Sequence, residues 1–163
     1  MARIPDRAAA WAEFLEVWET MLEESAQART AFVVEGENDV RALRRIGIDG
    51  AIVPIHRGQR LAAVARHLDV VADRVLILTD WDTEGGHLAH RLAELLAPGR
   101  VEVDLALRRR LARLLRGELV HVEGLYGWAR RMAERQGAPL DHFRPMLVPP
   151  PHAVASGRAP GAD

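Results

Sequence analysis

From residue 31 to residue 105 the chain alternates short apolar runs with stretches of helical period, and that alternation leaves few folds open to it. The runs Ala31-Phe-Val-Val-Glu35, Ala51-Ile-Val-Pro-Ile55, Val75-Leu-Ile-Leu-Thr79 and Val101-Glu-Val-Asp-Leu105 are rich in β-forming residues, and each predicts a strand. The periodicity between them predicts helices over 40–46, 61–71 and 88–96, with Gly47 and Pro98-Gly99 as stop signals. The third run is apolar on both faces, as a parallel strand covered on both sides must be. Pro54 predicts an incomplete ladder in the second run. Strands that alternate with helices call for an α/β fold: a Rossmann-like, four-stranded parallel sheet flanked by helices through right-handed crossovers.

Further helices flank this unit. Trp11, Phe14, Leu15, Trp18, Met21 and Leu22 recur at spacings of three and four, predicting an amphipathic N-terminal helix over 8–28. Its apolar stripe suits packing on the domain, or a homodimer seam. Residues 108–116 and 123–135 read as C-terminal helices. The Pro- and Gly-rich stretch after Gln136 predicts a flexible tail. The expected divisions are 1–29, 30–106, 107–136 and 137–163.

Composition removes several chemistries. The chain has 163 residues and no cysteine, so disulfides, thiolate zinc sites and thiol nucleophiles are excluded. All 22 of its Lys and Arg residues are Arg, which also excludes Schiff-base and P-loop lysines. No apolar run is long enough to span a membrane. Glu13, Glu16 and Glu19 break the start, so no secretory signal is expected and the cytoplasm is the default location. The net charge of −1 is unevenly spread, with a balance of −3 over residues 1–30 and +4 over residues 100–135.

Open parallel sheets build their sites at the carboxyl ends of the strands, and carboxylates lie there. Glu35 ends the first strand, Asp80 follows the third, and Asp82 begins the next turn. Two Asp at alternate positions can converge on one hard cation such as Mg²⁺, and a third carboxylate can complete the shell or act as acid or base. An Asp after a strand also serves as a turn residue or helix cap. Gly36 would let phosphate approach closely, Asp39 would cap the next helix, and Gly85-Gly86 would open the one after Asp82.

The segment Val34-Glu35-Gly36-Glu37-Asn38-Asp39 resembles the E-G-x-x-D signature of Toprim domains. Leu78-Thr79-Asp80-Trp81-Asp82-Thr83-Glu84-Gly85 resembles their second signature, D-x-D-x-x-G after a hydrophobic strand. The order and the single intervening β-α unit fit as well, and the whole chain is similar to small stand-alone archaeal Toprim proteins. The resemblance implies Glu35 as general acid/base or metal ligand, Asp80 and Asp82 as ligands of Mg²⁺ (or Mn²⁺), and Asp39 and Gly85 as structural. It implies a nucleic-acid partner and a nuclease-like or primase-like activity. Relatives commonly carry basic residues at positions 37 and 84. Glu37 and Glu84 here favour metal but oppose phosphate.

Arg109, Arg113 and Arg116 share one helical stripe and are candidates for phosphate contact, as are His56 and Arg57 after the second strand. Three functions are consistent with these residues: a metal-dependent enzyme acting on nucleic-acid phosphodiesters, a non-catalytic module binding metal and nucleic acid, or a haloacid-dehalogenase-type phosphatase. The last rests on Asp80-Trp-Asp82-Thr83 fitting D-x-D-x-T, but it lacks the downstream Lys such enzymes use.

Overall fold

The computed structural model describes residues 7–56, 58 and 60–137. The expected tail from 138 onward and the candidate Arg57 lie outside the described residues. The sheet comprises β1 (Thr30–Val34), β2 (Ala51–Pro54), β3 (Arg74–Ile77) and β4 (Glu102–Asp104), all parallel, in the order β2-β1-β3-β4. The helices are α1 (Arg7–Ala26), α2 (Glu37–Arg45), α3 (Leu61–Val71), α4 (Thr83–Leu96), α5 (Ala106–Leu114) and α6 (Leu125–Arg135), with a 3₁₀ turn at Val122–Gly124 before α6.

The period-two alternation of the central strands divides the core in two. Ala31, Val33, Val75 and Ile77 face α3 and α4, meeting Val64, Leu68, Leu92 and Leu96. Phe32, Val34, Leu76 and Leu78 face the opposite way, toward α1, α2, α5 and α6. Pro54 ends β2 opposite Val34 at the edge of the sheet, as its missing N–H requires.

The α1 stripe is absorbed by this second layer. Trp11, Phe14, Val17, Trp18 and Met21 are all buried. Phe14 stacks on Trp11 at 5.6 Å and meets Trp128 of α6 edge-on at 5.0 Å. The Trp18 indole donates to the Ile46 carbonyl at 2.7 Å. The apolar surface that suggested a homodimer seam is therefore covered, among the described residues, by the chain's own α5, α6 and sheet. Leu107, Leu111, Leu114 and Leu115 form the buried face of α5, as their spacing predicts.

Strand order locates the crevice. The chain leaves β1 toward β2 and leaves β3 toward β4, in opposite directions across the sheet. The adjacent carboxyl ends of β1 and β3 are thus the topological switch point, where open sheets of this kind hold ligands.

Candidate metal centre

The three signature carboxylates all lie at that switch point. Glu35 follows β1 directly. Its Oε1 accepts the backbone N–H of Asp80 at 3.0 Å, joining the ends of the two strands. Asp80 Oδ1 accepts the Val122 N–H at 2.9 Å, and its Oδ2 lies 2.7 Å from His121 Nδ1. Asp82 is the N-cap of α4, its Oδ1 accepting the Gly85 N–H at 2.7 Å. The helix-cap role that sequence left open for Asp82 is thus real, but it engages one carboxylate oxygen and leaves a second.

Asp80, Asp82 and His121 each offer a ligand atom, and these atoms lie within 4.8 Å of one another. This is the one such triad among the described residues. Glu35 is not a member of it. Where three carboxylates were expected to converge, the geometry gathers two carboxylates and an imidazole, and Glu35 is hydrogen-bonded to the Asp80 backbone instead. The donor set suits a small divalent cation: carboxylate oxygen serves Mg²⁺ and Mn²⁺ alike, and the imidazole nitrogen suits Mn²⁺ better.

Electrostatics follow from the crowding. Burial, then the charge of Asp80, pushes the Glu35 carboxyl above its ordinary range. The same two causes raise Asp39. The hydrogen bond to Asp80 raises His121. Behind the carboxylates stands Arg108. Its guanidinium donates to the Thr79 carbonyl and hydroxyl at 3.1 Å each, and to the Asp80 carbonyl at 2.5 Å. Burial lowers its pKa, and the charges of Asp82, Glu35 and Asp80 oppose that.

The two signature glycines differ. A Cβ at Gly85 would overlap the Asp80 carbonyl oxygen and come within 2.8 Å of Glu35 Oε1, so only glycine lets α4 start this close. A Cβ at Gly36 would meet nothing within 4 Å, and its φ of −157° is ordinary extended backbone. The chain does not need glycine there for its own packing. Asp39 reaches back to the Gly36 N–H at 3.0 Å, bracing the start of α2.

Glu35, Gly36, His56, Asp80, Glu84 and His121 line a cleft of about 660 Å³, together with Glu37, Asp39 and Glu123. His56 faces it, with Nε2 3.7 Å from Glu37 Oε1. Arg109, Arg113 and Arg116 line a different concavity, beside Trp81 and Val120. Arg113 there is tied to Glu13 of α1 at 2.6 Å. His121 and Arg108 are the residues that sequence reading missed. His121 stands between two valines, and Arg108 falls at i, i+3, i+7 with the buried Leu111 and Leu115. A polar group set into an apolar pattern is the signal that could have found both.

Residues 30–105 match the Toprim domain, a family that binds divalent cations, typically Mg²⁺, and acts on nucleic acids. The matched span contains Glu35, Asp80 and Asp82. The chain is similar to a UPF0292 protein of Pyrococcus furiosus, 33% identical over 129 residues that span 79% of this chain and 96% of that one. It is similar to a UPF0292 protein of Thermococcus gammatolerans, 32% identical over 127 residues, or 76% and 92% of the two chains. Among solved structures, a protein from Aquifex aeolicus shares the fold with a TM-score of 0.57 and 28% identity, over 67% of this chain and 94% of that one. With both signatures converging at the switch point and relatives matched over nearly their whole length, the chain belongs to the UPF0292 family of small Toprim-domain proteins.

Proposed function

We propose that the protein is a Mg²⁺-dependent enzyme that cleaves nucleic-acid phosphodiesters, with Asp80 and Asp82 holding the cation and Glu35 moving the proton. The observation that carries this is the pairing of Glu35 Oε1 with the Asp80 N–H beside the Asp80–Asp82–His121 triad. A bound divalent cation supplies charge stabilisation for a phosphoryl transition state. The chain's own residues supply the rest. Glu35, pushed up by burial and by Asp80, holds a proton more readily than an ordinary carboxylate, the direction an acid/base needs. Arg108 fixes the backbone of Thr79 and Asp80, so the two Asp are presented from a rigid segment. Gly36 leaves open space in the cleft where a phosphate could approach.

The test is cleavage and primer extension on labelled DNA and RNA with Mg²⁺ or Mn²⁺, beside Glu35→Gln and Asp80→Asn. Metal-dependent product that both variants abolish is expected. Product formed equally by parent and variants would overturn the reading. One observation favours a binding module instead: Glu35, Glu37, Asp39, Asp80, Glu84 and Glu123 all line the cleft, and that much negative charge opposes phosphate. Binding without product under either metal would select it.

A further inference from the structure

Arg41 and Arg45 of α2 and Arg131 of α6 line a concavity of about 500 Å³ between the two helices. All three are exposed, and among the described residues none lies within 4.0 Å of a carboxylate partner. Other exposed arginines, Arg66, Arg91, Arg100, Arg109 and Arg116 among them, also lack one, so what singles these three out is a shared concavity that adjoins the carboxylate cleft. Arg74 is bound by Glu24, Glu102 and Asp104, and Arg110 and Arg113 are held by Glu13 and Glu16 of α1. Arg45 lies over the Tyr126 ring, its guanidinium carbon 5.3 Å from the centroid. Arg41 donates to the amide oxygen of Asn38. Both guanidinium groups are thereby oriented by neutral partners that leave their charge unneutralised. The acid in the lining is Glu123, whose Oε2 accepts from Asn38 Nδ2 at 3.1 Å.

Asn38 and Glu123 also line the carboxylate cleft, so the two concavities adjoin at these residues. We infer that the α2–α6 concavity is a second binding site, which takes the phosphodiester backbone of a nucleic-acid strand and feeds it past Asn38 into the carboxylate cleft. The inference rests on the proposed nucleic-acid function and adds where the strand is held. It resolves the charge problem of that cleft. Six carboxylates repel phosphate, and three unpaired guanidinium groups next door supply the attraction the cleft lacks. Arg is suited to the task because its planar fork meets phosphate oxygens two at a time.

The test measures binding of a fluorescent single strand to the full chain across a salt series with Mg²⁺ present, every protein carrying Glu35→Gln so that the strand is not cut. The parent is compared with Arg41→Gln/Arg45→Gln/Arg131→Gln, and with Arg66→Gln/Arg91→Gln/Arg100→Gln, which removes equal charge from other exposed positions. Each lost phosphate contact on a single strand should reduce the salt slope by about 0.7, so the first triple variant should lose about 2 in slope and affinity by tens-fold at 0.1 M salt. The charge-matched variant should keep nearly the parental slope. Arg131→Gln alone, which removes no partnered group, should lose about 0.7. Equal losses in the two triple variants, or no loss in the first, overturn the site while leaving the proposed function standing. A parent that binds no strand overturns both.

Discussion

Glu35 Oε1 and the Asp80 N–H, 45 residues apart in sequence, are joined by a 3.0 Å hydrogen bond that ties the ends of the two central strands. The bond brings two carboxylates together, and burial with the charge of Asp80 raises the Glu35 pKa above its usual value of 4.5. A folded state that raises a carboxyl pKa favours the protonated form. Its stabilising effect is complete below the unfolded value and is lost as pH rises through the folded one. Glu35→Gln keeps an acceptor oxygen and removes the charge. It should match the parent's melting temperature near about pH 4 and exceed it near about pH 8 in chelator. A variant less stable than the parent at the higher pH would contradict this electrostatic account.

Divalent cations should stabilise the fold through the Asp80–Asp82–His121 triad. At about a hundred times the dissociation constant, the gain is about 2.7 kcal/mol, readable as a rise in melting temperature. Asp80→Asn should abolish the rise with both Mg²⁺ and Mn²⁺. His121→Ala should weaken the Mn²⁺ response more than the Mg²⁺ response, because imidazole suits the softer ion. An equal effect on the two ions would remove His121 from the ligand set and leave it as an orienting partner of Asp80.

The two signature glycines should separate under the same substitution. Gly85→Ala forces a methyl group onto the Asp80 carbonyl and against Glu35, so a destabilisation of about 2 kcal/mol or more is expected, measured by denaturant titration. Gly36→Ala meets open space at an ordinary φ, so the fold should lose no more than about 1 kcal/mol, the cost of alanine for glycine at the N-cap of α2. Its methyl projects into the space left for phosphate, and cleavage or strand binding should fall at least about tenfold. Unchanged activity in Gly36→Ala would show that phosphate does not pass there.

Much of this arrangement was written in local pattern. The helix expected over 61–71 is α3 (Leu61–Val71) to the residue, and the four strand runs fall on β1 to β4 within a residue or two. Such runs are legible because burial on both faces needs continuous apolar sequence. Ends set by side-chain caps were harder. The helix expected from 88 begins at Thr83, because Asp82 captures the Gly85 N–H and carries α4 through two glycines that otherwise signal a loop. The placement of Glu35, Asp80 and Asp82 at one sheet edge was legible because they lie in short local segments after strands. The site was not legible where it depends on long-range return of the chain. His121 reaches Asp80 across 41 residues and Arg108 reaches its carbonyl across 28. The Arg109–Arg113–Arg116 stripe is regular in sequence, yet sequence could not show that Glu13 of α1 would lie against Arg113.

Arg108 offers a prediction in which stability and metal response move in opposite directions. It hydrogen-bonds Thr79 and Asp80 and is the positive charge that Glu35, Asp80 and Asp82 all feel. Arg108→Met keeps much of the buried stem but leaves these carbonyls without their donor and the carboxylates without their counter-charge. In chelator the cost should be about 1–3 kcal/mol, with the partial exposure of the group holding it below the value for a fully buried ion. A divalent cation can replace the missing charge. Its affinity should therefore rise in the variant, and the metal-induced gain in melting temperature should exceed the parent's. Calorimetric titration with Mn²⁺ gives the affinity directly. If Arg108→Met bound the metal more weakly than the parent, Arg108 would be acting mainly to position Asp80, and the balance of charge would not be what governs the site.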